Sequence, residues 1–232
     1  MDNNKPDPKN EIPISVQDGD YHNDGRMHNY YMRDTYVNHQ PNRGSVYLRT
    51  GNRAICANED LVVSLHSGLE EEVDDAANLI MYKCGQQWAL SDMKKFNDRM
   101  RHEFGGGKLD IWQMKMRFVF ESWWWPLTAE GWGGWTLDMS FHEKDIIFVE
   151  IRNSAVAQAM EAVGKPVCHL YAGLFSGAFS YFKRNSQESI EVQCYAMGND
   201  CCKFMVGHEK QVNAAEFWRQ EGASANEIRE RL

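Results

Sequence analysis

A chain of 232 residues, 43% of them hydrophobic, is long enough to bury one sizeable core, which excludes a largely disordered protein. The formal net charge of −8 argues against a nucleic-acid-binding protein, because recognition of phosphate needs a basic surface. The sequence contains no uninterrupted apolar stretch of about 18 residues and begins without the features of a signal peptide, so it predicts a cytoplasmic protein with no transmembrane segment.

The predicted elements begin after a polar arm. Residues 1–43 are rich in Asn, Asp and Pro, and we expect them to form an N-terminal arm that is partly disordered. Residues 44–232 are predicted to form a single domain, which begins with a short strand at 45–50. The tyrosines of the arm are candidates for docking on this domain or on a partner protein.

Helices are predicted through the first half of the domain, because apolar residues recur there at offsets of three and four. The first is predicted from about 58 to 68, and a second from 70 to 88. The Ser-Asp pair at 91–92 resembles a helix start, so a third helix is predicted up to the glycine run at 105–107. Pro126 is expected to end the helical or mixed segment that follows.

Strands dominate the second half of the domain. Apolar and polar residues alternate over 135–143, and this strand is predicted to pair with 145–152 as a hairpin. The remaining predicted elements are a helix at 153–163, a helix at 168–182, strands at 189–197 and 202–207, and an end helix at 214–232. The pattern therefore predicts an α+β fold, in which helices pack on a twisted antiparallel sheet.

Three residues of the last predicted strand pair have metal-ligand chemistry. Cys194 and Cys202 flank the Gly-Asn-Asp turn at 198–200, so a hairpin brings them together. Glu191 precedes Cys194 by three positions, and on a flat strand the two side chains point to opposite faces. A metal site that uses both therefore requires a twist or a bulge near 192–193.

Cys168 is a candidate fourth ligand, because it begins a predicted helix and a helix N-terminus favours the thiolate. Thiolate and carboxylate ligands of this kind suit zinc. From spacing alone, cysteines that are simply buried in a core remain the alternative, because this spacing is not that of a standard zinc finger.

The segments VCHLYAGLFSGAFSYF (167–182) and SIEVQCYAMGNDCCKFMVG (189–207) resemble the 4-vinyl reductase domain family, which includes the sensor domains of phenol-responsive transcription activators. The resemblance implies a structural zinc ion within a subsite at 165–208. It implies four ligands, namely Cys168, Glu191, Cys194 and Cys202. It also implies a ligand-binding fold similar to the small subunits of the TRAPP tethering complex, in which homodimers are frequent.

Aromatic residues supply the candidate ligand site. Five of the eight tryptophans lie between positions 123 and 135, and aromatic walls suit a flat, apolar guest. The candidate ligand-binding residues are Trp124, Trp135, His142, Phe175 and Phe179. An ordinary core, or a contact with a partner or with the membrane surface, is the alternative for the tryptophans.

The function expected from these features is a zinc-stabilised protein that binds an apolar cyclic ligand such as a tetrapyrrole or chlorophyll precursor, for binding, sensing or pigment-protein assembly. The first alternative is a vinyl reductase or an accessory subunit in chlorophyll biosynthesis. The second is a protein–protein interaction module. The sequence shows neither a dinucleotide fingerprint nor a phosphate loop, so an enzyme is the less favoured expectation. A homodimer or a protein partner is expected, because so many aromatic residues favour an apolar interface.

Overall fold

The computed structural model describes residues 36–48, 52–104, 106–160 and 162–232; most of the predicted arm, residues 1–35, lies outside them. The strands are β1 (Val37–Gln40), β2 (Ser45–Leu48), β3 (Arg53–Ala54), β4 (Gly134–Asp138), β5 (Ile147–Arg152), β6 (Glu188–Gln193) and β7 (Cys202–Gly207). The helices are α1 (Asp60–Val73), α2 (Ala76–Glu103), α3 (Met116–Ala129), α4 (Ala155–Ala159), α5 (His169–Lys183), α6 (Glu209–Gln220) and α7 (Ala225–Arg231). The predicted α+β class is confirmed.

The main sheet is antiparallel and has the strand order β4-β5-β7-β6. The predicted hairpin of β4 and β5 is confirmed, with Trp135 opposite Ile151. Side chains of β5 alternate between two cores: Val149 lies in the main core with α2, α3 and α5, whereas Phe148 lies in a smaller cluster with Ile228 of α7. A separate small sheet consists of β1, β2 and β3.

Helix α2 is one continuous helix where the sequence predicted two. Its buried stripe passes through the expected break without interruption, because Gly85, Ala89 and Met93 are all buried at intervals of four. The Ser-Asp pair at 91–92 therefore occupies a helix interior, and its capping preference is overridden by burial of this stripe.

The prediction that Pro126 ends a helix is wrong, because α3 continues through it to Ala129. Trp125 and Leu127 on either side are buried, so packing offsets the loss of the backbone donor at proline. The predicted end helix is likewise two helices. Gly222 has a φ of +90°, and Ser224 caps α7 by accepting a hydrogen bond from the Glu227 amide at 3.3 Å.

Helices α2 and α5 approach each other closely through glycines. A Cβ atom at Gly173 would collide with the backbone carbonyl oxygen of Tyr82, and one at Gly177 would lie 2.5 Å from that of Gln86. Gly85 on α2 meets the Leu170 carbonyl in the same way. This contact places α5 directly beneath the main sheet. None of the helices over the described ranges has the length and apolar character that crossing a bilayer requires.

Candidate functional site

A bulge in β6 turns Glu191 and Cys194 toward each other. The pairing of β6 with β7 shifts register between Glu191 and Gln193, which confirms the predicted irregularity. Cys194 follows β6 directly and Cys202 is the first residue of β7, so the hairpin brings both cysteines together. Cys168 is the N-cap residue of α5, whose first turn faces the same point.

The four predicted metal ligands converge in the core. All four side chains are buried, and their ligand atoms lie within 4.8 Å of one another. The Cys168 sulfur lies 3.7 Å from the Cys202 sulfur, which lies 3.8 Å from the Cys194 sulfur. Tetrahedral zinc with Zn–S bonds of about 2.3 Å places its sulfur ligands about 3.8 Å apart. The sulfur spacing therefore fits a tetrahedral zinc ion.

Glu191 provides an independent test of the fit. Its Oε2 atom accepts a hydrogen bond from the Cys168 backbone amide at 2.9 Å, whereas Oε1 has no partner among the described residues although the side chain is only 4% exposed. Burial and the neighbouring Cys194 sulfur raise the pKa of Glu191 well above its usual range. A buried carboxylate oxygen without a partner needs a cation or a donor, and the position of Oε1 suits the fourth ligand.

The thiols of the site share charge unequally. Hydrogen bonds from Cys168 and Cys202 lower the pKa of Cys194 to about 2, whereas burial raises the pKa of Cys168 well above that of a free thiol. Cys201 lies outside this set and accepts a hydrogen bond from the Gln193 side-chain amide at 3.2 Å. A divalent cation would stabilise the deprotonated form of all four ligands together.

The structure brings four of the five predicted ligand-binding residues into one buried group. Trp135 lies 5.5 Å from Trp124 and 5.0 Å from Phe175 between ring centroids, and Phe179 joins the group by stacking on Phe120 at 3.9 Å. We define the aromatic cluster as Phe120, Trp124, Trp135, Tyr171, Phe175 and Phe179. Phe120 and Tyr171 were missed as candidates, although each follows the helical spacing of its own apolar stripe.

The structure does not bring His142 to the aromatic cluster. Strand β4 ends at Asp138, and His142 lies in the exposed turn of 3₁₀-helix that follows, where its Nδ1 atom bonds the Met139 carbonyl oxygen at 2.9 Å. The predicted strand ran to 143, but Asp138 stops it by accepting hydrogen bonds from Ser140.

One polar atom of the aromatic cluster is unsatisfied. The Trp135 side chain is 3% exposed, and its Nε1–H has no acceptor in the described part of the chain. By contrast, the Nε1–H of the equally buried Trp123 donates to Asp92 at 2.8 Å. A buried indole N–H usually has a partner, so Trp135 presents a free donor inside the cluster.

Tyr171 connects the cluster to the metal ligands. It follows Cys168 by one turn of α5, and its ring lies 5.9 Å from Trp135 and 6.4 Å from Phe204. Its hydroxyl donates to the Trp132 carbonyl oxygen at 2.8 Å. The metal ligands and the aromatic cluster are therefore neighbouring parts of one core.

The family model of the vinyl-4-reductase domain matches residues 147–208. This segment is a vinyl-4-reductase domain. All four candidate metal ligands lie within the matched segment, whereas Trp124 and Trp135 precede it. Among proteins of curated function, none matches the chain by sequence.

Solved structures show how far the fold of this family extends in the chain. The phenol-responsive sensory domain of the transcription activator PoxR, solved with phenol, matches 80% of this chain and 90% of its own length with a TM-score of 0.57 at 18% identity. This similarity shows a shared fold well beyond the segment that the family model matches.

Two further structures match with lower scores. A vinyl-4-reductase family protein from Methanocaldococcus jannaschii matches 63% of this chain and 75% of its own, with a TM-score of 0.41 at 11% identity. Trafficking protein particle complex subunit 3 from Naegleria fowleri, covalently bound to palmitic acid, matches 64% of this chain and 93% of its own, with a TM-score of 0.44 at 14% identity.

Proposed function

We propose that this chain is a zinc-stabilised domain that binds an apolar cyclic ligand in its aromatic cluster, for sensing or for delivery of that ligand. The observation that carries the proposal is the buried, unpartnered Nε1–H of Trp135 among aromatic rings. Aromatic walls with a single polar group are typical of sites that bind small, largely apolar ligands. The ligand therefore carries at least one oxygen or nitrogen acceptor that reaches this donor.

Zinc is the metal that the ligand set suits best. Three thiolates and one carboxylate at the observed sulfur spacing complete a tetrahedron, and soft sulfur ligands disfavour magnesium and calcium. When bound, the ion cross-links β6, β7 and the start of α5. A tetrahedron filled by protein leaves no position for water or substrate, so the role of zinc is structural.

Two sizes of ligand follow from this proposal. A tetrapyrrole or chlorophyll precursor is the larger candidate, which the resemblance to 4-vinyl reductases suggested. A single-ring phenol is the smaller candidate, because the sensory domain of PoxR, which shares the fold, was solved with phenol. Both classes carry oxygen acceptors for the Trp135 donor and apolar rings for the surrounding aromatic side chains.

The test combines native mass spectrometry with ligand titration. The full chain, purified under reducing conditions without chelators, is expected to carry one zinc ion. Addition of phenol or chlorophyllide is expected to quench tryptophan fluorescence saturably, and whichever probe does so identifies the size class. If neither probe binds and the native mass shows a protein partner but no small molecule, the chain is an interaction module instead. Absence of zinc from freshly purified protein would reject the metal part alone.

A further inference from the structure

Ser154 is a fully buried hydroxyl beside the metal ligands. It is the N-cap residue of α4, and its Oγ atom accepts a hydrogen bond from the Ala157 amide at 3.3 Å. The same Oγ atom lies 3.8 Å from the Cys168 sulfur. The sheet register explains this position, because Ile151 pairs with Cys202 and the chain turns into α4 immediately beyond β5.

The proton of this hydroxyl needs an acceptor, since the oxygen already accepts from Ala157 and the side chain is fully buried. Two acceptors are near. One is the Cys168 sulfur, and the other is the hydroxyl of Tyr171, whose pKa is raised by burial and lowered to a smaller extent by a hydrogen bond from Ser154. A metal-bound thiolate carries negative charge and is therefore a stronger acceptor than a neutral phenol.

We propose that Ser154 is a positioning residue of the metal centre, whose O–H donates to the zinc-bound Cys168 sulfur. The inference rests on the proposed zinc site and adds a residue that lies outside its ligand set. A hydrogen bond to a thiolate withdraws electron density from sulfur and fixes the direction of its lone pairs. Ser154 therefore orients Cys168 and makes the Cys168–metal bond more resistant to thiol-directed reagents.

Cobalt(II) substitution gives a readout that a merely structural role does not change. Charge-transfer bands from sulfur to cobalt move to lower energy when a hydrogen bond to the thiolate is lost. We expect this shift in Ser154→Ala and expect Ser154→Thr, which keeps the hydroxyl, to restore the wild-type spectrum. Release of zinc by N-ethylmaleimide is expected to be about tenfold faster in Ser154→Ala, the lower end of the effect of outer-shell partners.

Ser224→Ala is the matched control for the lost helix cap. Ser224 caps α7 through the same type of bond at the same distance, 3.3 Å, and caps a helix that packs on the opposite face of the sheet. Its cobalt spectrum and zinc release are expected to equal those of the wild type.

The outcomes separate the two proposals. A wild-type chain that takes up neither zinc nor cobalt overturns the zinc site itself. If the wild type binds cobalt but Ser154→Ala matches Ser224→Ala in both spectrum and zinc release, the role of Ser154 is overturned and the zinc site stands.

Discussion

The unpartnered indole N–H of Trp135 makes a prediction about stability that ordinary packing does not make. Trp135→Phe keeps an aromatic ring in the cluster and removes the donor. Trp123→Phe is the matched control, because Trp123 is equally buried and makes the same change in volume but loses a hydrogen bond to Asp92. The difference between the two variants therefore isolates the contribution of the N–H group.

The magnitudes follow from the two environments. A buried donor without a partner costs about 1–3 kcal/mol, and this cost disappears in Trp135→Phe. A hydrogen bond to a charged acceptor contributes about 1.5–3 kcal/mol, and it is lost in Trp123→Phe. We therefore expect Trp123→Phe to lower the free energy of unfolding by about 3 kcal/mol more than Trp135→Phe does.

Urea denaturation of both variants with saturating zinc measures this difference. In the ligand titration, Trp135→Phe is expected to weaken binding of the active probe about fivefold, since a neutral hydrogen bond contributes about 1 kcal/mol. Trp123→Phe is expected to bind that probe as the wild type does. Equal destabilisation by the two variants, together with unchanged binding by Trp135→Phe, would refute a free donor that awaits a ligand.

The remaining predictions concern the metal, the helix contact and assembly. Cys202→Ser is expected to lose zinc and several kcal/mol of stability, because structural zinc contributes folding energy directly, whereas Cys201→Ser is expected to keep its zinc on metal analysis. Gly173→Ala is expected to destabilise by at least about 1–3 kcal/mol in thermal unfolding, because it forces α2 and α5 apart; Gly68→Ala on exposed α1, where a Cβ meets nothing within 4 Å, is expected to stabilise slightly. Removing zinc with a chelator is expected to weaken binding of the active probe, and re-addition of zinc should restore it. Light scattering is expected to show a dimer or a partnered chain, and a monodisperse species of 26.8 kDa would contradict this.

Local pattern predicted the elements that depend on local signals. Strand β7 matches its predicted bounds, because apolar residues between a turn and a glycine leave little freedom in its length. The bulge at 192–193 followed from geometry alone, since Glu191 and Cys194 cannot share a face on a regular strand. Where tertiary packing competes with a local signal, as in α3 at Pro126, the pattern failed.

The metal ligands and the aromatic cluster differed in how far sequence could predict them. The four ligands lie within one segment of known family spacing, so their convergence was predicted from the resemblance. The cluster joins α3, β4 and α5, and only the folded chain shows that Trp135 reaches Phe175 while His142 lies in an exposed turn. Neither the unpaired state of the Trp135 donor nor the approach of Ser154 to Cys168 has any signal in the sequence.

Helix α5 gives a physical reason for a metal ion next to a ligand site. Cys168 caps its first turn, and Tyr171, Phe175 and Phe179 follow at intervals of three and four, so one face of the helix runs from the metal ligands through the aromatic cluster. A metal bond at the cap fixes the start of this face against β6 and β7, while the glycine contact with α2 fixes its opposite side. A cluster held on both sides does not collapse onto an unsatisfied donor such as the Trp135 indole. Metal binding and ligand binding are therefore expected to be thermodynamically linked, because each favours the same placement of α5.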